Sequence, residues 1–124
     1  MERINVESTP YLPLIDFSPE GMLKLEGRSI PEDVCKLFDP LIAFVDELSV
    51  EEVTLDINLE YFNTSSSKKL LELLRHLDAN TKVSVIKVNW YFEEGDDDSV
   101  ETAEIYEEML HRVDFRYIEY AEAA

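Results

Sequence analysis

Glycine is scarce, with three in 124 residues, and a glycine-rich loop cradling a nucleotide phosphate is therefore excluded. Cysteine is represented by Cys35 alone. No internal disulfide can form, a reducing compartment is the natural setting, and a buried or half-buried thiol is the expectation rather than a nucleophile. Basic residues are few, 11 against 28 acidic, and the formal net charge is −17. A field of that sign repels phosphate backbones and anionic bilayers, so nucleic acid and membrane surfaces are poor partners and a basic protein surface suits better. No apolar run approaches a membrane span, and residues 1–10 are polar and charged rather than signal-peptide-like, so the expected location is cytoplasmic. Histidine occurs twice, as His76 and His111, each expected to be an ordinary, partly exposed side chain.

What remains is an apolar fraction of 45%, enough for one core without staples or a structural metal. There is no repeat and no linker. One domain over residues 1–124 is expected, with residues 1–10 loose. Leu14, Ile15 and Phe17 lead into Ser18-Pro19-Glu20-Gly21, then Met22, Leu23 and Leu25, which reads as a β-hairpin. Gly27 to Glu32 then opens a helix, with Ser29 or Ile30 at the cap and Pro31 in the first turn. Val34, Leu37, Phe38, Leu41, Ile42, Val45 and Leu48 keep a helical period. Pro40 lies inside this stripe; a second helix capped by Asp39 is the alternative to a kink, and the unbroken phase favours the kink.

Residues 52–60 alternate. Val53, Leu55, Ile57 and Leu59 face one way, with Thr54, Asp56, Asn58 and Glu60 on the other, giving a strand with one face only partly covered. Leu70, Leu73, Leu74 and Leu77 mark a helix to about residue 79, with Asn80 as its stop. Val83–Phe92 is a further strand. Residues 99–112 form a third helix with Ala103, Tyr106, Met109 and Leu110 as its stripe, and residues 115–120 a last strand. The fold class is α/β: a mixed sheet of about five strands with an N-terminal hairpin, parallel pairs among the later strands, and about three helices.

Between the alternating strand and the leucine helix stands Asn63-Thr64-Ser65-Ser66-Ser67-Lys68-Lys69. In open α/β sheets this joint is where ligands and switches sit. One polar residue suffices to cap a helix, and four consecutive hydroxyls exceed that need. The run is also a site for phosphorylation, since a phosphate there meets free N–H groups and the positive end of the helix dipole, with Lys68 and Lys69 one turn away. A nucleophile would need a base within hydrogen-bond reach. The second notable run, Glu93 to Asp98, matches no calcium loop in its spacing; it reads as a solvated loop with Asp98 or Ser99 capping the next helix, and neither metal nor cofactor is called for. Of Trp90, Tyr91 and Phe92, some must be core and one exposed ring would be a contact residue.

Three blocks, STPYLPLIDFSPEGMLKLEGRSIPED, LEYFNTSSSKKLLELL and VNWYFEEGDDDSVETAEIYEEML, resemble in order and spacing the SiaC family of regulatory phosphoproteins. The family often carries Tyr where this chain has Ile30. The resemblance implies a fold like the STAS domains of anti-sigma-factor antagonists and a role in bacterial partner switching. It implies that a Ser/Thr kinase phosphorylates Thr64 and a PP2C-type phosphatase reverses it. It further implies that the unphosphorylated form binds a membrane diguanylate cyclase and promotes cyclic di-GMP synthesis, that phosphorylation prevents binding, and that the protein has no catalysis of its own. Asn63, Ser65, Ser66, Ser67 and Lys68 would then shape the phospho-loop and cap its helix. A static adaptor, in which the run only caps, is the alternative reading, and an enzyme using a loop hydroxyl is a third.

Overall fold

The computed structural model describes residues 1–121. Six strands and three helices follow in the order β1 (Ile4–Val6), β2 (Leu14–Phe17), β3 (Met22–Ser29), α1 (Val34–Glu47), β4 (Glu52–Phe62), α2 (Thr64–Ala79), β5 (Val85–Glu93), α3 (Asp97–Met109) and β6 (Val113–Tyr120). The strands lie in one sheet in chain order. The first three pair antiparallel, and β3 through β6 pair in parallel, each parallel connection passing through one helix. Successive right-handed crossovers place all three helices on one face of the sheet. Val53, Leu55, Ile57 and Leu59 of β4 and Ile86, Val88 and Trp90 of β5 are buried beneath those helices. Thr54, Asp56, Lys87, Asn89 and Tyr91 point to the other face and keep contact with water. That bare face is held by side-chain pairs such as Asn89 Nδ2 donating to Asp56 Oδ1 at 2.8 Å and Lys87 to Glu52 at 2.9 Å.

The hairpin forms where the turn chemistry placed it. Gly21 takes φ +98°, and a Cβ there would stand 2.4 Å from the carbonyl oxygen of Glu52, so only glycine fits between the turn and β4. Residues 4–6, within the segment expected to be loose, instead form a sixth strand on the edge. Arg3 clasps Asp16 through two hydrogen bonds of 2.7 Å and holds that strand in place, which keeps the Asp16 carboxyl below its usual range. Three residues are too few to show a period.

The first helix begins later than expected. Ser29 ends β3 and is buried, Ile30 donates its N–H to Tyr11 O at 2.7 Å, and the residue before a proline is held extended. Asp33 is the cap, its Oδ1 accepting from Lys36 N at 3.1 Å. α1 runs unbroken through Pro40, and Asp39, rather than capping a second helix, pairs with Lys69 at 3.0 Å. Cys35 is exposed, not buried, because the buried stripe of α1 starts only at Phe38. α3 is capped by Asp96, whose Oδ1 accepts from Ser99 N at 3.1 Å, and it ends at Met109. His111 therefore lies beyond the helix, and Met109 is 46% exposed because the inward line runs through Ser99, Ala103, Tyr106 and Leu110. Among the described residues no helix is long and apolar enough to cross a membrane.

Candidate functional site

The Asn63–Lys68 run stands where β4 hands over to α2, and a β-bulge sets its geometry. Gly27 pairs with Leu59 but Arg28 with Tyr61, so Glu60 is the extra residue. The shift turns Tyr61 outward, 51% exposed with the Arg28 guanidinium 5.7 Å above its ring. It turns Phe62 inward, edge-on to Trp90 at 6.2 Å, and Trp90 in turn meets Tyr106 of α3 edge-on at 6.0 Å. The Trp90 indole N–H donates to the buried Ser99 hydroxyl at 2.9 Å. Strand end and helix start are thereby locked to α3.

Each hydroxyl of the run has a different fate. Asn63 is the cap: its Oδ1 accepts from Ser66 N at 2.9 Å and from the exposed Ser65 hydroxyl at 3.1 Å. Its own N–H donates to Ser29 O at 3.1 Å. Ser66 is turned inward and buried, donating to Ser29 O at 3.2 Å and meeting the Ser29 hydroxyl at 2.8 Å. Ser67 faces α3, its hydroxyl 2.8 Å from Tyr106 OH, which donates to Ser67 O at 2.6 Å. Burial raises the Tyr106 phenol pKa, so it stays protonated as that donor. Thr64, the first residue of α2, is exposed, and among the described residues its hydroxyl has no hydrogen-bond partner. The N–H groups of Thr64 and Ser65 are likewise unpaired among the described residues, as the first turn of a helix leaves them.

Lys68 is exposed four residues on from Thr64, one turn along the same side of α2. Lys69 points away, between Asp39 at 3.0 Å and Glu72 at 3.2 Å, which together push its pKa further up. The first turn of α2 carries no acidic residue, whereas that of α3 carries Asp97 and Asp98. His76 sits twelve residues along α2, roughly 18 Å from Thr64 at 1.5 Å per residue, and its Nδ1 lies 2.9 Å from Asp46. Neither histidine is placed to serve the run as a base. Ser29 and Tyr106 are the partners the sequence did not disclose. Ser29 read as a helix cap and Tyr106 as plain core; a serine at a strand's end followed by Ile-Pro was the available signal for the first.

A sequence model of the SiaC family of regulatory phosphoproteins matches residues 6–120. The chain belongs to the SiaC family. Its fold is that of the solved members. It superposes with a TM-score of 0.82 on SiaC in the crystal structure of the diguanylate cyclase SiaD in complex with its activator SiaC from Pseudomonas aeruginosa, at 25% identity over 94% of this chain and 99% of that one. SiaC of Pseudomonas aeruginosa on its own matches with a TM-score of 0.77, at 25% identity over 98% of this chain and 100% of that one. An uncharacterized protein of the same species is 27% identical over 113 residues, 87% of this chain and 90% of the relative.

Proposed function

We propose that this protein is a non-catalytic signalling switch whose phosphoacceptor is Thr64. The observation that carries the reading is the division of labour in the first turn of α2. Asn63 alone does the capping, Ser66 and Ser67 bond to neighbouring elements, and Thr64 presents, at a helix N-terminus with Lys68 nearby, a hydroxyl and two N–H groups that have no partner among the described residues. A Ser/Thr kinase adds roughly two negative charges there, and a PP2C-type phosphatase removes them. The unphosphorylated form binds and activates a diguanylate cyclase, as SiaC does SiaD, and the phosphate prevents that binding. The whole chain acts as one such unit in the cytoplasm. The distance of both histidines from Thr64 supports the absence of catalysis.

The test compares wild-type protein, Thr64→Ala and protein authentically phosphorylated at Thr64 for binding to and activation of a diguanylate cyclase from the same cell. Wild-type and alanine forms bind alike, and the phosphorylated form loses binding by tenfold or more. Equal binding by all three would leave only a static adaptor.

A further inference from the structure

The two edges of the sheet differ. β1 closes one edge with three residues, too few to template another chain. β6 closes the other with eight, contains no proline, and holds its register with β5 without a bulge from Val113 to Tyr120. Among the described residues nothing pairs with its outer side. A long, regular edge of this kind offers a row of backbone donors and acceptors to a further strand.

Which groups face outward is fixed by one bond. The Glu94 N–H donates to Tyr120 O at 2.8 Å, so Tyr120 turns its backbone toward β5. That direction alternates along a strand, so Asp114, Arg116 and Ile118 also bond inward. Val113, Phe115 and Tyr117 present their N–H and C=O groups to the outside. Their side chains lie on the helix-covered face, where Phe115 is buried and stacks on Tyr117 with centroids 6.2 Å apart. Asp114 and Arg116 lie on the bare face. Both are exposed, and they meet each other only at 3.8 Å.

A second β6, laid antiparallel and centred on Phe115, satisfies all of these conditions together. Phe115 then faces Phe115 of the second copy and Val113 faces Tyr117, each as a hydrogen-bonded pair with both backbones turned toward the seam. The intervening positions form the closer pairs, with Cα atoms about 4.5 Å apart, and there Asp114 faces Arg116 and Arg116 faces Asp114. Centred one residue to either side, Arg116 faces Arg116 or Asp114 faces Asp114. Centred on Tyr117, both ion pairs are lost. The strand is self-complementary in a single register.

We infer that β6 is a self-association edge, and that its occupant is β6 of a second copy of this chain, antiparallel about a twofold axis through Phe115. The two sheets then become one of twelve strands with every helix on the same face. Strands of the second copy run the opposite way, so the two Asn63–Lys68 runs lie at opposite ends. Each is carried by β4, two strands in from the seam, and stays clear of the contact. This pairing is independent of the Thr64 switch proposed above. Charge sets its condition. Each copy carries −17, and Glu107, which accepts from Tyr117 OH at 2.7 Å, brings a carboxylate close to the seam. Pairing is therefore weak in dilute salt and tightens as salt screens the repulsion, whose reach falls from about 30 Å at 0.01 M to about 8 Å at 0.15 M.

The experiment is analytical ultracentrifugation of the full chain, up to millimolar protein, in dilute and in concentrated salt. The expected result is a monomer–dimer equilibrium at least tenfold tighter at about 0.5 M than at about 0.01 M salt. At about 0.15 M salt, Arg116→Asp weakens it at least tenfold, and the reciprocal exchange Asp114→Arg/Arg116→Asp returns it to near the wild-type value. Recovery on exchange is expected only where the two positions face each other across a twofold axis. A chain that stays monomeric throughout overturns the inference, as does a dimer indifferent to Arg116→Asp or not recovered by the exchange. A positional readout does not depend on charge. In a Cys35→Ser background, Asp114→Cys and Arg116→Cys are placed in separate chains and mixed under oxidation. The facing Cα atoms, about 4.5 Å apart, suit a disulfide, so the mixture should give at least tenfold more covalent dimer than either chain alone. Equal yields overturn the pairing. Circular dichroism and melting check that each exposed substitution leaves the fold intact; if the exchanged chain is unfolded, the cysteine pair decides.

Discussion

If the residues from Asn63 to Ser67 divide their labour as described, alanine substitutions along them should produce an uneven profile of stability. Asn63→Ala removes an acceptor serving both the Ser66 N–H at 2.9 Å and the Ser65 hydroxyl at 3.1 Å, and loss of such a cap costs about 1–2 kcal/mol. Ser66→Ala leaves the fully buried Ser29 hydroxyl without its partner and should cost about 1–3 kcal/mol. Ser67→Ala removes one bond to the buried Tyr106 phenol, which keeps its bond to Ser67 O, and should cost about 1 kcal/mol. Ser65→Ala loses only an exposed bond, and Thr64→Ala loses none, so both should fall within about 0.5 kcal/mol of wild type. Alanine's better helix propensity offsets part of any loss at these two positions. Urea titration followed by emission of the single tryptophan, buried Trp90, reads each value, and 1 kcal/mol should move the melting point of a chain this size by about 3–5 °C. The outcome that refutes the reasoning is a Thr64→Ala cost of 1 kcal/mol or more, or an Asn63→Ala cost near zero. Either would mean that Thr64 is structural and that its exposure does not mark it as free for modification.

Other expected outcomes are more local. Gly21→Ala should destabilise by about 2 kcal/mol or more, because backbone strain adds to the approach to Glu52 O, whereas Gly95→Ala, with open space around it, should cost only the strain of about 1–2 kcal/mol; paired denaturation curves compare them. Ser99→Ala should leave the Trp90 indole N–H buried without an acceptor, lowering stability by about 1–3 kcal/mol and shifting the tryptophan emission. The folded-state pKa of Asp16 is depressed by Arg3, so its contribution is present above the unfolded carboxylate value of about 3.9 and is lost as pH falls through the lower folded value. Amide protection factors for Ile4–Val6 should accordingly be equal at pH 5 and pH 8 and drop in strong acid, while in Asp16→Asn they should be low throughout.

The strongest periodicities in the sequence were reliable guides. The alternation from Val53 to Leu59 gave a strand with one wet face, and Leu70, Leu73, Leu74 and Leu77, all fully buried, gave the helix after it. Boundaries set by single side-chain contacts were not legible. The strand continues past Glu60 because the bulge returns Phe62 to the core, and no pattern in the residues announces an inserted position. β1 pairs with β2 over only three residues and is tied down by an ion pair from Arg3 to Asp16, thirteen positions away. At the candidate site the hydroxyl run itself was visible, but which hydroxyls turn inward depends on the helical phase set by Asn63 and on Ser29 and Tyr106, brought in from other elements.

The agreement between strand order and chain order has a consequence for synthesis. Each strand emerging from the ribosome finds its only prior neighbour already made, and no later segment must thread between two earlier ones. The longest excursion between paired strands is a single helix, so the entropy of closing each pairing stays small. The sheet can grow like a zip from its N-terminal edge, with β6 laid down at the far edge after its one neighbour, β5, is in place.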